Sequence, residues 1–173
     1  MSEGEVFDTV LADYLIGAVE GFAPYFQQTL LRRLRLMTGR RLYVVGLDPY
    51  IVGPADTDGA RMVREIGRLR DAVLLLADET PYREYPAEWT LNALASAGFR
   101  VLSACRFPNR YKAKWVNGQL DMAVRRLPRV ANDGLARSLA SRVETLRGEG
   151  LALCAERNGL RCGADYVVAC EPN

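Results

Sequence analysis

The chain contains no histidine. Histidine triads, imidazole proton shuttles and histidine-ligated zinc sites are therefore excluded, and with them the commonest hydrolase designs. Cysteine is scarce. Cys105, Cys154, Cys162 and Cys170 form no CxxC pair, so reduced, mostly buried thiols are expected, and neither a metal clip nor a thioredoxin-like centre. Lysine is confined to Lys112 and Lys114, yet the 23 basic residues nearly balance 21 acidic ones at a net charge of +2. That balance lacks the long positive face on which nucleic-acid binding depends, so no nucleic-acid partner is expected. No apolar run approaches the ~20 residues that span a bilayer. Met1 to Thr9 is acidic and polar, where a secretory or mitochondrial signal is basic. A cytoplasmic location without a membrane partner is the expectation. Phosphate cradles are missing too: there is no GxxxxGK[ST], and Gly17 and Gly21 in LIGAVEG do not make a GxGxxG.

What remains is an ordinary globular composition, 49% hydrophobic and 25% charged over 173 residues. At that length a fold buries roughly 70% of the surface of the unfolded chain and needs no disulfide or metal staple. One domain over residues 1–173 is expected.

Apolar patterning alternates between strand and helix. Phe7 to Tyr14 (FDTVLADY) lacks a helical period and reads as a buried strand. From Gly21 to Met37, Phe22, Phe26, Leu30, Leu34 and Met37 recur every three or four residues, which predicts an amphipathic helix. Arg41 to Asp48 reads as a central strand, and Gly59 to Ala77 as a helix behind the cap signals Asp56-Thr57-Asp58. A helix over Ala87 to Ala97 is stopped by Gly98, and the strand Phe99 to Cys105 follows. Phe107 to Gly118 reads as an irregular loop before a short helix, Gln119 to Leu127. A helix from Asp133 to Arg157, weakened at Gly148 and Gly150, and a strand from Asp165 to Cys170 close the chain. Strand–helix alternation predicts an α/β layered fold with about four strands, few for a doubly wound sheet.

Ligands of open α/β sheets bind beyond the carboxyl ends of the strands. After the first strand stand Asp13 and Tyr14, an acid that can orient a nucleophile and a ring that can pack on a planar group. The same residues allow a structural role, with Asp13 capping the next helix. After the second strand comes Asp48-Pro49-Tyr50; Tyr111 and Trp115, in the aromatic and basic stretch RYKAKW, can lid a pocket or anchor a loop.

The order FDTVLADYLIG, APYFQQTLLRRL, RRLYVVGLDP, LASAGF, RVLSACRF and DYVVACEP resembles the second half of a class I S-adenosylmethionine-dependent methyltransferase. The resemblance implies a partial doubly wound, Rossmann-like sheet with an antiparallel last strand. It makes Asp13 and Tyr14 the family's acid-plus-aromatic motif, catalytic in orienting or deprotonating the acceptor and in packing near the methyl. Asp13, Tyr14, Leu15 and Gly17 become one wall of the donor site, and Tyr50, Tyr111 and Trp115 candidates for the pocket of an unknown acceptor. S-adenosylmethionine is the implied co-substrate. The glycine-rich donor loop and the ribose-binding acid of the family have no counterpart, so the expectation is a domain lacking its N-terminal donor-binding strands. Two functions remain open on that basis: a methyltransferase portion completed by a donor-binding segment, or a non-catalytic module that docks or dimerises. In either, strand 7–14 is an apolar edge expected to self-associate or to be covered by a partner.

Overall fold

A computed structural model describes residues 4–173, in which strands and helices alternate from the start. Strand β1 (Phe7–Asp13) is followed by the short helix α1 (Leu15–Val19), then α2 (Gln27–Met37) and β2 (Thr38–Leu47). Helices α3 (Asp58–Leu76) and α4 (Ala87–Ser96) lead to β3 (Phe99–Tyr111). Helix α5 (Ala113–Val124), a 3-10 turn (Leu127–Arg129), α6 (Asp133–Glu156) and β4 (Leu160–Pro172) complete the chain. The sheet order is β1-β2-β4-β3, with β2 parallel to β1 and antiparallel to β4. Thus the partial α/β sheet with an antiparallel last strand is present. No helix among the described residues is long and apolar enough to cross a membrane.

Two clusters of buried side chains form, each in its own compact unit. The first unit takes the chain up to Pro49, Tyr82–Phe107 and Ala164–Asn173. The second takes Tyr50–Pro81 and Pro108–Gly163. Both assemble from segments remote in sequence, which no local periodicity reveals.

In the first unit the alternation of β2 puts Leu42 and Val44 on one face, in register with Cys170 and Val168 of β4. All four side chains are buried, together with Leu31 and Leu34 of α2 and Leu94 of α4. Each such aliphatic side chain contributes about 1.5–3 kcal/mol relative to exposure. Next along the same face Gly46 opposes Tyr166, whose ring fills the space that a Cβ at Gly46 would occupy. Helix α4 ends as the sequence predicts: Gly98 adopts φ 87°, the left-handed conformation of a C-terminal glycine stop. Arg35 of α2 then donates from Nε to the Gly98 carbonyl at 2.9 Å.

The second unit packs α3, α5 and α6 around Val63, Ile66, Val116, Leu120, Val143 and Leu146. Thr57 caps α3 by accepting from the Ala60 amide at 3.1 Å, and Asn132 caps α6 by accepting from the Leu135 amide at 2.9 Å. Helix α6 runs unbroken through Gly148 and Gly150. Gly150 lies so close to α3 and α5 that a Cβ there would meet Ile66 and Val116 at 3.3 Å. Tertiary packing thus overrides the weak helix propensity of two glycines.

Several expectations change. β1 is not buried: it pairs on one side only, and of its side chains Ala12 alone is fully covered, while Leu11 is 62% exposed. The helix expected from Gly21 begins at Gln27, because Tyr25 turns the chain at φ 67° and leaves Phe22 exposed. Phe107 to Gly118 is not a loop. β3 continues to Tyr111 and α5 starts at Ala113, since the polar residues lie along an exposed strand whose aromatic end packs inward.

Two glycines give opposite predictions. Gly46→Ala forces a methyl into the Tyr166 ring and is expected to destabilise by about 1–3 kcal/mol or more. Gly148→Ala, with no atom within 4 Å of the new Cβ, is expected to stabilise by about 0.5–1 kcal/mol. Urea unfolding of the two variants checks both signs.

Candidate functional site

The carboxyl ends of β1 and β2 lie in the first unit, and Tyr14 is the residue on which β1 turns into α1. Its backbone is left-handed, φ 48° and ψ 19°, at the N-cap of α1. For a bulky side chain this costs about 1–2 kcal/mol. The surroundings fix it: its amide donates to the Val45 carbonyl at 3.0 Å, its own carbonyl accepts from the Ala18 amide at 3.1 Å, and its hydroxyl bonds the Asp165 carboxylate. Strain held in place in this way concentrates where a side chain must be aimed.

No side chain caps α1. The capping role open to Asp13 is therefore not the one it plays. Asp13 is exposed at the end of β1, beside Tyr14.

Around Tyr14 the charge is negative. Burial first, then the hydrogen bond to Asp165, then the carboxylates of Asp165, Asp13 and Glu84 push its phenol up to about 12. Asp165 reaches this place because β4 runs antiparallel: Leu47, the last residue of β2, pairs with Asp165 near the start of β4. An antiparallel last strand over Asp165 to Cys170 puts its first acid at the carboxyl ends of the parallel strands, which is the sequence signal for Asp165.

Gly17 is buried, and a Cβ on it would meet the Glu84 carboxylate at 2.5 Å and the Arg83 carbonyl at 3.1 Å. Its missing side chain lets residues 83–84 lie against α1. Leu15 is half-buried on the core of the unit. Behind them Glu20 is buried and accepts from Gln27 Nε2 at 2.6 Å and from the Tyr85 hydroxyl at 2.8 Å. Burial works to raise its pKa, but these hydrogen bonds and the charge of Arg83 outweigh it and hold Glu20 below the usual carboxylate range. Tyr85 is pushed up to about 12, by burial first and then by its bond to Glu20.

Asp48, at the exit of β2, has a structural task. One oxygen accepts from the Ala87 amide at the start of α4 at 3.0 Å and the other from Arg106 Nε at 2.7 Å. Arg106 also bonds Glu88 at 2.5 Å.

Tyr50, Tyr111 and Trp115 belong to the second unit and do come together. The Tyr111 and Trp115 rings lie 4.4 Å apart, and Tyr50 stands 6.0 Å and 6.2 Å from them. They pack on one another and on the core of the unit, with the Tyr50 hydroxyl accepting from Arg70 at 2.9 Å. The aromatic spacing thus marks an anchor of α5. Among the described residues no group of acidic or cysteine side chains is arranged to hold a metal ion.

No protein-family profile matches the chain, and no curated protein matches its sequence. Its fold does match solved structures. A cyclopropane-fatty-acyl-phospholipid synthase-like protein from Lactobacillus casei ATCC 334 superimposes with a TM-score of 0.51 at 15% identity, over 98% of this chain and 57% of that one. A protein of Bacillus halodurans C-125 provisionally described as a methyltransferase gives 0.50 at 12% identity, over 98% and 66%. The chain spans between about half and two thirds of the length of such structures. The fold is the Rossmann-like one of class I methyltransferases, represented in part.

The tyrosines allow a pH test. Tyr14 and Tyr85, raised to about 12 in the fold from about 10 when unfolded, contribute stability that is complete below pH 10 and lost as pH rises through 12. Tyrosinate absorbance followed on alkaline titration is expected to show a late fraction. Tyr14→Phe and Tyr85→Phe should each reduce it; an unchanged late fraction in Tyr14→Phe would exclude a raised Tyr14 phenol.

Proposed function

We propose that the chain is the substrate-side part of an S-adenosylmethionine-dependent methyltransferase, completed by a glycine-rich donor-binding segment supplied from elsewhere. The observation that carries this reading is Tyr14: a strained, half-exposed ring at the carboxyl end of β1, in a sheet of the class I order, ringed by carboxylates. A methyl donor of this kind supplies an electrophilic methyl on a cationic sulfur. A tyrosine face among carboxylates suits such a cation. The fit covers one wall only, Asp13, Tyr14 and Leu15, because Gly17 already faces Glu84.

In that reading the residues of the chain act by positioning. The left-handed turn aims the Tyr14 ring where the methyl moves, and the bond to Asp165 fixes its rotamer. Asp13 orients the acceptor and takes its proton as the acceptor's lone pair forms the new bond to carbon. The sulfur keeps the electron pair of the bond that breaks. In-line displacement draws chiefly on proximity and orientation. The acceptor pocket is assigned to Tyr50, Tyr111 and Trp115 on the resemblance alone; their mutual packing supports a wall more than a cavity.

The chain alone is expected to give no heat with S-adenosylmethionine at micromolar concentrations in calorimetry; clear micromolar binding would overturn the need for a further donor segment. In the completed protein Asp13→Asn should lower methyl transfer at least about tenfold at unchanged melting temperature. Parallel losses of activity and melting temperature would instead make Asp13 structural.

A second reading rests on the exposed edge of β1, where Val6, Phe7 and Leu11 are open to solvent. A non-catalytic module would use that edge to dock a strand of another chain or of a second copy. Light scattering over a dilution series is expected to show concentration-dependent association. A monomer at all concentrations would remove self-pairing.

A further inference from the structure

The second unit holds a cavity of about 580 Å³ that methyl transfer does not use. Four arginines from four parts of the chain line it: Arg61 near the start of α3, Arg110 near the end of β3, Arg157 capping α6, and Arg161 in β4. Asp56 and Asp58 are the acids of the lining, so positive charge is in excess. Arg61 is paired with Asp58, and Arg157 with Glu156 at 2.9 Å. Arg110 donates to the Asn158 carbonyl at 3.3 Å but forms no ion pair among the described residues, and the Arg161 side chain, on β4, has neither hydrogen bond nor ion pair among them. Two guanidinium groups therefore stand in one cavity without a direct ion pair among the described residues, with Asp56 the one further carboxylate of the lining.

The walls are held firmly. Lys112 Nζ clamps Asn158 through its carbonyl at 2.5 Å and its side chain at 2.7 Å, fixing the turn between α6 and β4. Gly159, at φ 108°, leaves room for the Arg110 side chain, which a Cβ would meet at 2.8 Å. Gly59 lets the first turn of α3 approach the backbone of Arg161, whose amide nitrogen would lie 3.2 Å from a Cβ. The arginines are thus mounted on a pinned frame, which lowers the ordering cost of binding.

We propose that this cavity binds a small phosphorylated molecule through its phosphoryl oxygens. One guanidinium fork satisfies the two oxygens of a carboxylate, whereas a phosphoryl dianion offers three oxygens and suits several forks reaching it from different elements. The volume lies within the range of small-molecule sites.

Calorimetry of the full chain with inorganic pyrophosphate at physiological salt tests the assignment. Saturable binding is expected, weakened at least about tenfold in Arg110→Gln/Arg161→Gln. Arg161→Gln alone breaks no side-chain hydrogen bond or ion pair among the described residues and should shift affinity in the same direction at unchanged melting temperature. Arg32→Gln/Arg40→Gln, which removes the same charge from the first unit, should leave affinity unchanged. Absence of saturable binding, equal losses in both double variants, or citrate binding as tightly as pyrophosphate would each overturn it.

Discussion

The first unit depends on one substitution of volume: a ring where a side chain is missing. Tyr166 of β4 lies over Gly46 of β2, and its hydroxyl meets Thr90 of α4 at 2.8 Å and the Tyr85 carbonyl at 3.0 Å. A single phenol therefore joins the two central strands to the helix and to the segment that precedes it. That segment, residues 82–86, in turn supplies Glu84 beside Gly17 and Tyr85 to buried Glu20. Because Tyr166 follows Asp165 directly, the ring that locks the sheet also sets the carboxylate that Tyr14 bonds. Buried side-chain nitrogen and oxygen atoms are all hydrogen-bonded among the described residues, so this network adds rigidity without leaving an orphan side-chain donor or acceptor.

Much of this architecture was legible because its signals are local. The apolar run of β2, the caps of α3 and the Gly98 stop each lie within a few residues, and the order of strands and helices was enough to suggest the half-sheet. What escaped was decided at a distance. Phe22 has helical spacing to Phe26, yet Tyr25 turns the chain and strands it outside the helix. The polar stretch from Phe107 looked irregular because an exposed strand carries no buried alternation. The division of the buried side chains into two clusters carries no local signal, since Tyr50 to Pro81 joins residues 108–163 only in space.

The candidate site shows the same division. Asp13 and Tyr14 were found from their position after a strand, and the structure adds the left-handed turn that aims the ring. Their neighbours Asp165 and Glu84 come from elsewhere in the chain and carried no motif. The aromatic trio was recognised as a group, but spacing alone does not distinguish rings that enclose a ligand from rings that enclose each other. The rings of Tyr50, Tyr111 and Trp115 pack on one another, and lining an acceptor pocket remains their proposed role.

The closing residues 164–173 lie between β2 and β3, in the middle of the sheet and not at its rim. The inner edge of β2 therefore finds its partner only when this distant segment folds back between β2 and β3. Until that pairing forms, the inner edge of β2 is open to strand-mediated misassembly, so folding of the first unit waits on its most distant segment.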